Sequence, residues 1–315
     1  MPSIDPAVFS PAAVAPETEA LNRSIVAKLE AAPDQWAFPA DEIREARRQG
    51  KGAFPLAPKS PRAVTETIAG PGGPLALRIL APPAPSGVYL HIHGGGWMLG
   101  QADFQDPMLE RLGEACGLAC VSVDYRLAPE HPYPAGPEDC EAAALWLVRE
   151  GKARFGTERF FIGGESAGAN LSAVTMLRLR DRHGLVPFRG ANLIAGCYDL
   201  AMTPGARRWG RRRLILDTRD IALFVKAYLA HRENPSDPGI SPLHADLAGL
   251  PPALFSVGTR DPLLDDSLFM AARWEAAGNR ADLKVWPGGV HVFQGFDFPL
   301  AHQAFAAETA FLNGL

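Results

Sequence analysis

A chain of 315 residues can hold one large α/β domain or two ordinary ones. Its 47% hydrophobic content supports a large core and excludes a disordered polymer. A net charge of −4 argues against nucleic acid and anionic membranes as partners, and no apolar run is long enough for stable membrane insertion.

Up to Ser60 the chain carries helix-like stretches at 17–31 and 41–49, broken by Pro33, Pro39, Pro55 and Pro58. The stretch from Met1 to Pro16 has neither the basic start nor the apolar core of a secretion signal, so a cytoplasmic location is expected. Strands follow at 64–69 and 75–80, a hairpin turned at Gly70-Pro71-Gly72-Gly73. Further strands at 87–92, 118–123, 159–163, 191–196, 253–258 and 282–286 alternate with amphipathic stretches at 105–116, 138–154, 171–182, 267–277 and 301–312. That alternation implies parallel pairing with helices on both faces. One connection breaks the rhythm: about sixty residues separate the strands that start at 191 and 253, far more than a simple crossover needs. This insert has an apolar helix at 221–230 and a cluster of Arg207, Arg208, Arg211, Arg212 and Arg213. We expect it to fold as a lid over the sheet edge together with the N-terminal helices. The expected division is therefore a cap segment at 1–60, a core at 61–199, a cap insertion at 200–240 and the rest of the core at 241–315. The arginines suit either an acidic substrate or, as the ordinary reading, a solvated helix face. Cys116, Cys120, Cys140 and Cys197 lack zinc-like spacing and read as buried, reduced thiols.

Gly164-Glu165-Ser166-Ala167-Gly168 is a G-x-S-x-G pentapeptide between a buried strand and a helix that begins just after the serine. A serine on so sharp a turn is pushed out of the sheet edge, and the helix behind it favours negative charge at the reacting centre. His93-Gly94-Gly95-Gly96-Trp97 directly follows the strand at 87–92. Consecutive glycines free the backbone to aim its N–H groups at one point, as an oxyanion of acyl transfer requires. Neither a Walker-type lysine nor a dinucleotide fingerprint accompanies this loop. A serine hydroxyl needs a base, and the base an acid, in the chain order Ser, Asp, His. Asp261 lies just past the strand at 253–258, where ligands meet open α/β sheets. Asp265 and Asp266 read as caps of the next helix. After Asp261 only His291 and His302 remain; His302 falls inside the last helix, whereas His291 sits in a loop after the final strand and is the better base. His93 is expected to be structural, fixing the glycine loop.

With these stretches assembled, and with Asp124-Tyr125-Arg126-Leu127-Ala128-Pro129-Glu130 between them, the chain resembles the hormone-sensitive-lipase-like branch of α/β-hydrolases, the bacterial family IV esterases. Motif order and spacing agree from Pro61 to the C-terminus. The resemblance implies an α/β-hydrolase fold, with a mostly parallel central sheet of about eight strands flanked by helices under a helical cap. It implies a triad of Ser166, Asp261 and His291, oxyanion donors on Gly95, Gly96 and Ala167, no cofactor and no metal. The implied substrate is a small-molecule ester with a short to medium acyl chain. Trp97 stands where phenylalanine is common, and Cys197-Tyr198-Asp199 replaces a frequently proline-bearing turn. Trp97 and Trp36 are expected to wall the acyl pocket, so that short acyl groups are preferred. Amidase, lactonase or deacetylase activity could use the same triad, and some plant hormone receptors keep this fold without catalysis. An intact triad favours the enzyme. A homodimer is compatible with all of these features.

Overall fold

The computed structural model describes residues 4–230 and 234–315; Met1 to Ser3, at the head of the 1–60 segment, and His231 to Glu233, within 200–240, lie outside the described residues. Eight strands form one sheet: β1 (Val64–Gly70), β2 (Gly73–Leu80), β3 (Gly87–Ile92), β4 (Leu118–Val123), β5 (Phe160–Glu165), β6 (Phe188–Ile194), β7 (Ala253–Arg260) and β8 (Ala281–Val290). Their order is β1-β2-β4-β3-β5-β6-β7-β8. The first two form the expected hairpin, with Gly70 opposite Gly73, and β2 also runs antiparallel to β4. All later pairs are parallel. This is the α/β-hydrolase sheet. Central strands β3, β4 and β5 are buried at every position, as parallel strands covered on both faces must be. β1 alternates exposed and half-buried residues, as an edge hairpin should.

Helices α1 (Pro16–Ala31), α2 (Ala40–Arg48), α3 (Asp106–Cys116), α4 (Ala135–Phe155), α5 (Ala167–His183), α6 (Pro204–Arg208), α7 (Thr218–Leu229), α8 (Leu264–Ala276) and α9 (Pro299–Asn313) complete the described fold. Leu109, Leu112, Phe311 and Leu312 of α3 and α9 close one face over Phe161 and Leu118. On the other face α4, α5 and α8 pack Leu147, Leu171 and Met270 into the main core with Val88, Leu90 and Phe255. No helix among the described residues is long and apolar enough to cross a membrane. All four cysteines are free and buried.

Several boundaries differ from the sequence reading. α4 starts at Ala135 rather than 138, and β6 at Phe188 rather than 191. β8 continues through Pro287 to Val290 instead of ending near 286, because Gly288 donates its N–H to Thr259 Oγ1 at 2.8 Å and Gly289 lets the two backbones approach closely at Gly258. The aspartates expected to cap α8 do not: its N-cap is Leu263, with no side-chain bond. Both instead reach across to the segment that follows β6. Asp265 accepts the Gly205 N–H at 2.6 Å, and buried Asp266 accepts from Tyr198 N, Asp199 N and Thr203 Oγ1 at 2.7, 3.0 and 2.7 Å.

The N-terminal helices lie against the site-bearing end of the sheet. Asn22 on α1 donates to the Gly288 carbonyl at 2.9 Å, and Glu19 pairs with Arg260 at 2.7 Å. Arg44 on α2 donates to the carbonyls of Met98 and Ala128 and pairs with Glu130. Between these helices, Trp36 meets α7: its indole N–H donates to Asp220 at 2.6 Å and its ring stands edge-on to Phe224, centroids 4.8 Å apart.

Candidate active site

β5 ends in the pentapeptide and α5 begins one residue after Ser166. The chain reverses there through a strained backbone: Ser166 has φ 57° and ψ −120°, a region that a residue with a side chain seldom occupies. The flanking glycines follow from close approach. A Cβ on Gly164 or Gly168 would overlap the carbonyl oxygen of Ile92, the last residue of β3. The serine turn and the start of the glycine loop are thus in direct backbone contact, with no room for a methyl group.

His291 is the first residue after β8, and Asp261 the first after β7. A register shift between Gly258 and Arg260 kinks β7 just before the aspartate. His291 Nδ1 lies 2.9 Å from Asp261 Oδ2, and its Nε2 lies 2.9 Å from Ser166 Oγ. Asp261 Oδ1 accepts the Leu263 N–H at 2.9 Å, which holds the carboxylate in place. Aspartate and imidazole are almost wholly buried, while the hydroxyl is half-exposed. Chemically, the imidazole can take the hydroxyl proton and the carboxylate can stabilise the cation formed.

The glycine loop is braced from below. Gly95 and Gly96 have φ 117° and 62°. Among the described residues the N–H groups of Gly95, Gly96 and Ala167 have no protein acceptor, so they are free to serve a ligand. Tyr125 donates its hydroxyl to the His93 carbonyl at 2.9 Å and stacks on the His93 ring at 4.2 Å. Ala128 N donates to the Trp97 carbonyl at 2.9 Å, and Arg126 clamps Asp139 through several bonds of about 3 Å. This explains the Asp124–Glu130 stretch: it is the splint of the loop. Burial holds the His93 imidazole below its ordinary value, which keeps it neutral, in line with a structural role.

Glu165 was not singled out in the sequence. It is buried, accepts the Gly94 N–H at 2.7 Å and the Gln105 amide at 3.0 Å, and lies 3.0 Å from His91 Nε2. Burial pushes its carboxyl up, but His91 and the Gly94 N–H outweigh burial and hold it below the ordinary carboxylate value. The residue beside the serine thus ties the glycine loop to the serine turn. A charged residue ending the apolar run Phe160-Phe161-Ile162-Gly163-Gly164 was the available signal.

A family model described as the alpha/beta hydrolase fold matches residues 89–295. The esterase LipI of Mycobacterium tuberculosis is 33% identical over 94% of this chain and 92% of its own length. An esterase of Pyrobaculum calidifontis superposes with a TM-score of 0.85 at 28% identity, covering 96% of this chain and 98% of the other. An esterase described as belonging to the bacterial hormone-sensitive lipase family does so with a TM-score of 0.80 at 30% identity, covering 96% and 99%. The chain belongs to the α/β-hydrolase family, in its hormone-sensitive-lipase-like branch. It is a carboxylic ester hydrolase.

In this esterase the two tryptophans occupy different places. Trp97 is 3% exposed, stacked on Tyr228 of α7 at 4.7 Å and 13°, and part of the main core. Trp36 stays half-buried behind Phe224. The ring that lies directly against the glycine loop is Phe224, which a Cβ on Gly96 would overlap. Sequence reasoning missed it because an apolar residue in an amphipathic helix looks like any other core position. His302 is exposed and pairs with Asp297 at 2.7 Å, far from this chemistry in role.

Proposed function

We propose that the protein is a serine carboxylesterase acting on short to medium acyl esters through an acyl-enzyme intermediate. Ser166 Oγ attacks the ester carbonyl while His291 Nε2 takes its proton, and Asp261 holds the imidazole and stabilises its charged form. The oxyanion of the tetrahedral intermediate is bound by the N–H groups of Gly95, Gly96 and Ala167. Collapse breaks the ester C–O bond, and His291 returns the proton to the leaving alcohol. Water, deprotonated by the same imidazole, then attacks the acyl-serine and releases the acid. No cofactor takes part. The observation that carries this reading is the continuous hydrogen-bonded line from Ser166 through His291 to Asp261, at 2.9 Å on each side of the ring.

The 1–60 and 200–240 segments serve as the cap over a core at 61–199 and 241–315, and Phe224, backed by Trp36, bounds the acyl side, with Trp97 supporting the wall from the core. Burial of Trp97 against Tyr228 and of Phe224 against Gly96 supports a short pocket. A cytoplasmic enzyme, as a monomer or homodimer, fits this reading. A fluorophosphonate probe tests it: we expect rapid modification of Ser166, lost in His291→Ala. Labelling elsewhere, or none, would sink the serine mechanism. A nitrophenyl ester series then reads acyl length, and efficient cleavage of long-chain emulsified lipid would replace the esterase by a lipase.

A further inference from the structure

The arginine cluster is not a helix face. Arg207 and Arg208 end the short α6, whereas Arg211, Arg212 and Arg213 lie in the loop between α6 and α7. All five are exposed, as is Arg219 on α7, in a chain whose net charge is −4. The nearby acids are engaged: Asp217 and Asp220 cap α7 reciprocally, and Asp220 also takes the Trp36 indole N–H. Arg219 is neutralised by Asp34 at 2.6 Å. Arg207 donates to the carbonyls of Ala201 and Met202, and Arg212 lies over the Trp209 ring at 5.4 Å, contacts that leave both charges uncompensated. Among the described residues Arg208 and Arg211 pair with no carboxylate, and Arg213 lies within electrostatic reach only of Asp34, which Arg219 already binds. The stretch from Pro204 to Arg219 contains no lysine. Arginine alone suits recognition of planar anions by its fork of donors, where a merely soluble surface mixes both cations with acids.

The two ends of this loop are anchored on the elements that carry Asp261 and His291. Thr218 ties its neck, donating N–H to the Gly210 carbonyl at 3.1 Å and its hydroxyl to the Ala206 carbonyl at 2.6 Å. Its entry is fixed through Gly205 and Thr203 to Asp265 and Asp266, a few residues past Asp261. Its exit, Leu214 and Ile215, packs on Ile25, Val290 and Phe293, the last two flanking His291. Leu214 also lines a cleft of about 310 Å³ with Arg23, Glu30 and the Glu19–Arg260 pair, and Arg260 adjoins Asp261. The charges lining the cleft balance, Glu19 and Glu30 against Arg23 and Arg260, so the unpaired arginines of the loop are the nearby source of positive charge that its own lining lacks.

We propose that the arginine loop is a charge filter, and that the enzyme favours esters bearing a carboxylate remote from the scissile bond, such as monoesters of dicarboxylic acids. This rests on the serine-esterase reading above and names its substrate class. The loop draws the anion toward the cleft and holds it while the ester carbonyl reaches Ser166.

Two esters isolate the effect: the nitrophenyl monoester of glutaric acid and nitrophenyl pentanoate, alike but for the terminal carboxylate. We expect the ratio of their kcat/KM values to favour the glutaryl ester and to fall about tenfold in the triple variant Arg208→Ser/Arg211→Ser/Arg213→Ser, within the range of electrostatic steering. The same ratio should fall in wild type as salt is raised from about 20 to about 300 mM, which shortens the screening length severalfold. A ratio that ignores both salt and the triple variant, with pentanoate turned over, overturns the filter and leaves the esterase reading intact. No hydrolysis of either ester removes both. Binding to phosphatidylglycerol vesicles that the triple variant loses, without charge preference among soluble esters, overturns the filter in favour of a surface dock.

Discussion

The serine turn and the arginine loop are built on opposite principles. At the turn, backbone meets backbone: Gly164 and Gly168 have no room for a Cβ because the Ile92 carbonyl is already there. In the loop, Gly210 has φ 75° and nothing within 4 Å of where its Cβ would stand. The turn is specified by steric exclusion, which leaves a short motif in the sequence. The loop and the helix beyond it are specified by side chains that find partners far along the chain, such as Trp36 and Asp220, 184 residues apart. Exclusion leaves a glycine pattern that is legible before its partner, the Ile92 carbonyl of another strand, is known; side-chain partnership leaves no such mark.

The largest effects belong to the turn and its partners. Ser166→Ala or His291→Ala should each lower kcat by at least about 10³-fold, and the double variant little more, because residues acting as a unit are not additive. Asp261→Asn should also be severe, since the wrong tautomer misorients the ring. Multiplicative losses in steady-state kinetics would separate Ser166 from His291 in mechanism.

Next in size is the contrast between glycines. Gly168→Ala must push apart the turn and β3, at a cost of about 3 kcal/mol or more for overpacking. Gly210→Ala pays only for the left-handed backbone, about 1 kcal/mol. Denaturant melts of the two variants check this, and equal losses would break the contrast drawn above.

The same contrast explains what could be read from the sequence. All eight strands exist in the expected order, six of them within about two residues of the expected bounds, and the hairpin turn and the three residues now joined by hydrogen bonds sit where alternation and motif placement put them. The extra residues of β8 escaped because Pro287 and paired glycines look like a loop until Thr259 and Gly258 are seen across from them. Asp265 and Asp266 escaped because a cap and a long-range anchor look alike before a helix. Phe224 and Glu165 needed the packing itself.

A buried carboxyl on the far face gives a pH test. Burial, against hydrogen bonds from Asn192 and Gln294, pushes Glu308 up to about 7. The folded state then holds a proton that the unfolded chain, with an ordinary glutamate near 4.3, has already released. Stability is therefore greatest below the unfolded value and falls as pH rises to about 7, by an amount on the order of 3 kcal/mol. Glu308→Gln cannot ionise and should flatten that fall, melting above wild type at pH 8 but not at pH 5. Parallel pH profiles for the two proteins would rule Glu308 out as the cause.

Smaller, and confined to turnover, is the tie between the two site segments. Glu165→Gln keeps an acceptor for Gly94 but loses the charge opposite His91. We expect kcat to fall by about tenfold, the value of one charge-assisted bond acting through the glycine loop, with KM little changed. A rise in KM alone would assign Glu165 to ground-state binding.

The finest comparison lies within the contacts of α7 with the glycine loop. Phe224 presses on Gly96 and stands edge-on to Trp36, whereas Trp97 is locked beneath the loop on Tyr228. On the proposed mechanism, a ring against the glycine loop occupies volume that the acyl chain would otherwise use. Each methylene buried contributes about 0.8 kcal/mol, roughly fourfold in kcat/KM, until the chain meets that wall. Phe224→Ala should therefore move the preferred acyl length upward by about two carbons, gaining on the longer esters what it loses on acetate. Trp97→Ala removes a core side chain and its stacked partner's support, so its cost should appear first in stability, at about 3 kcal/mol. Rate constants across the nitrophenyl series, with melts of both variants, separate the two. A length profile that follows Trp97 and ignores Phe224 would put the wall on the core side of the site, and the division of labour between turn and cap would have to be redrawn.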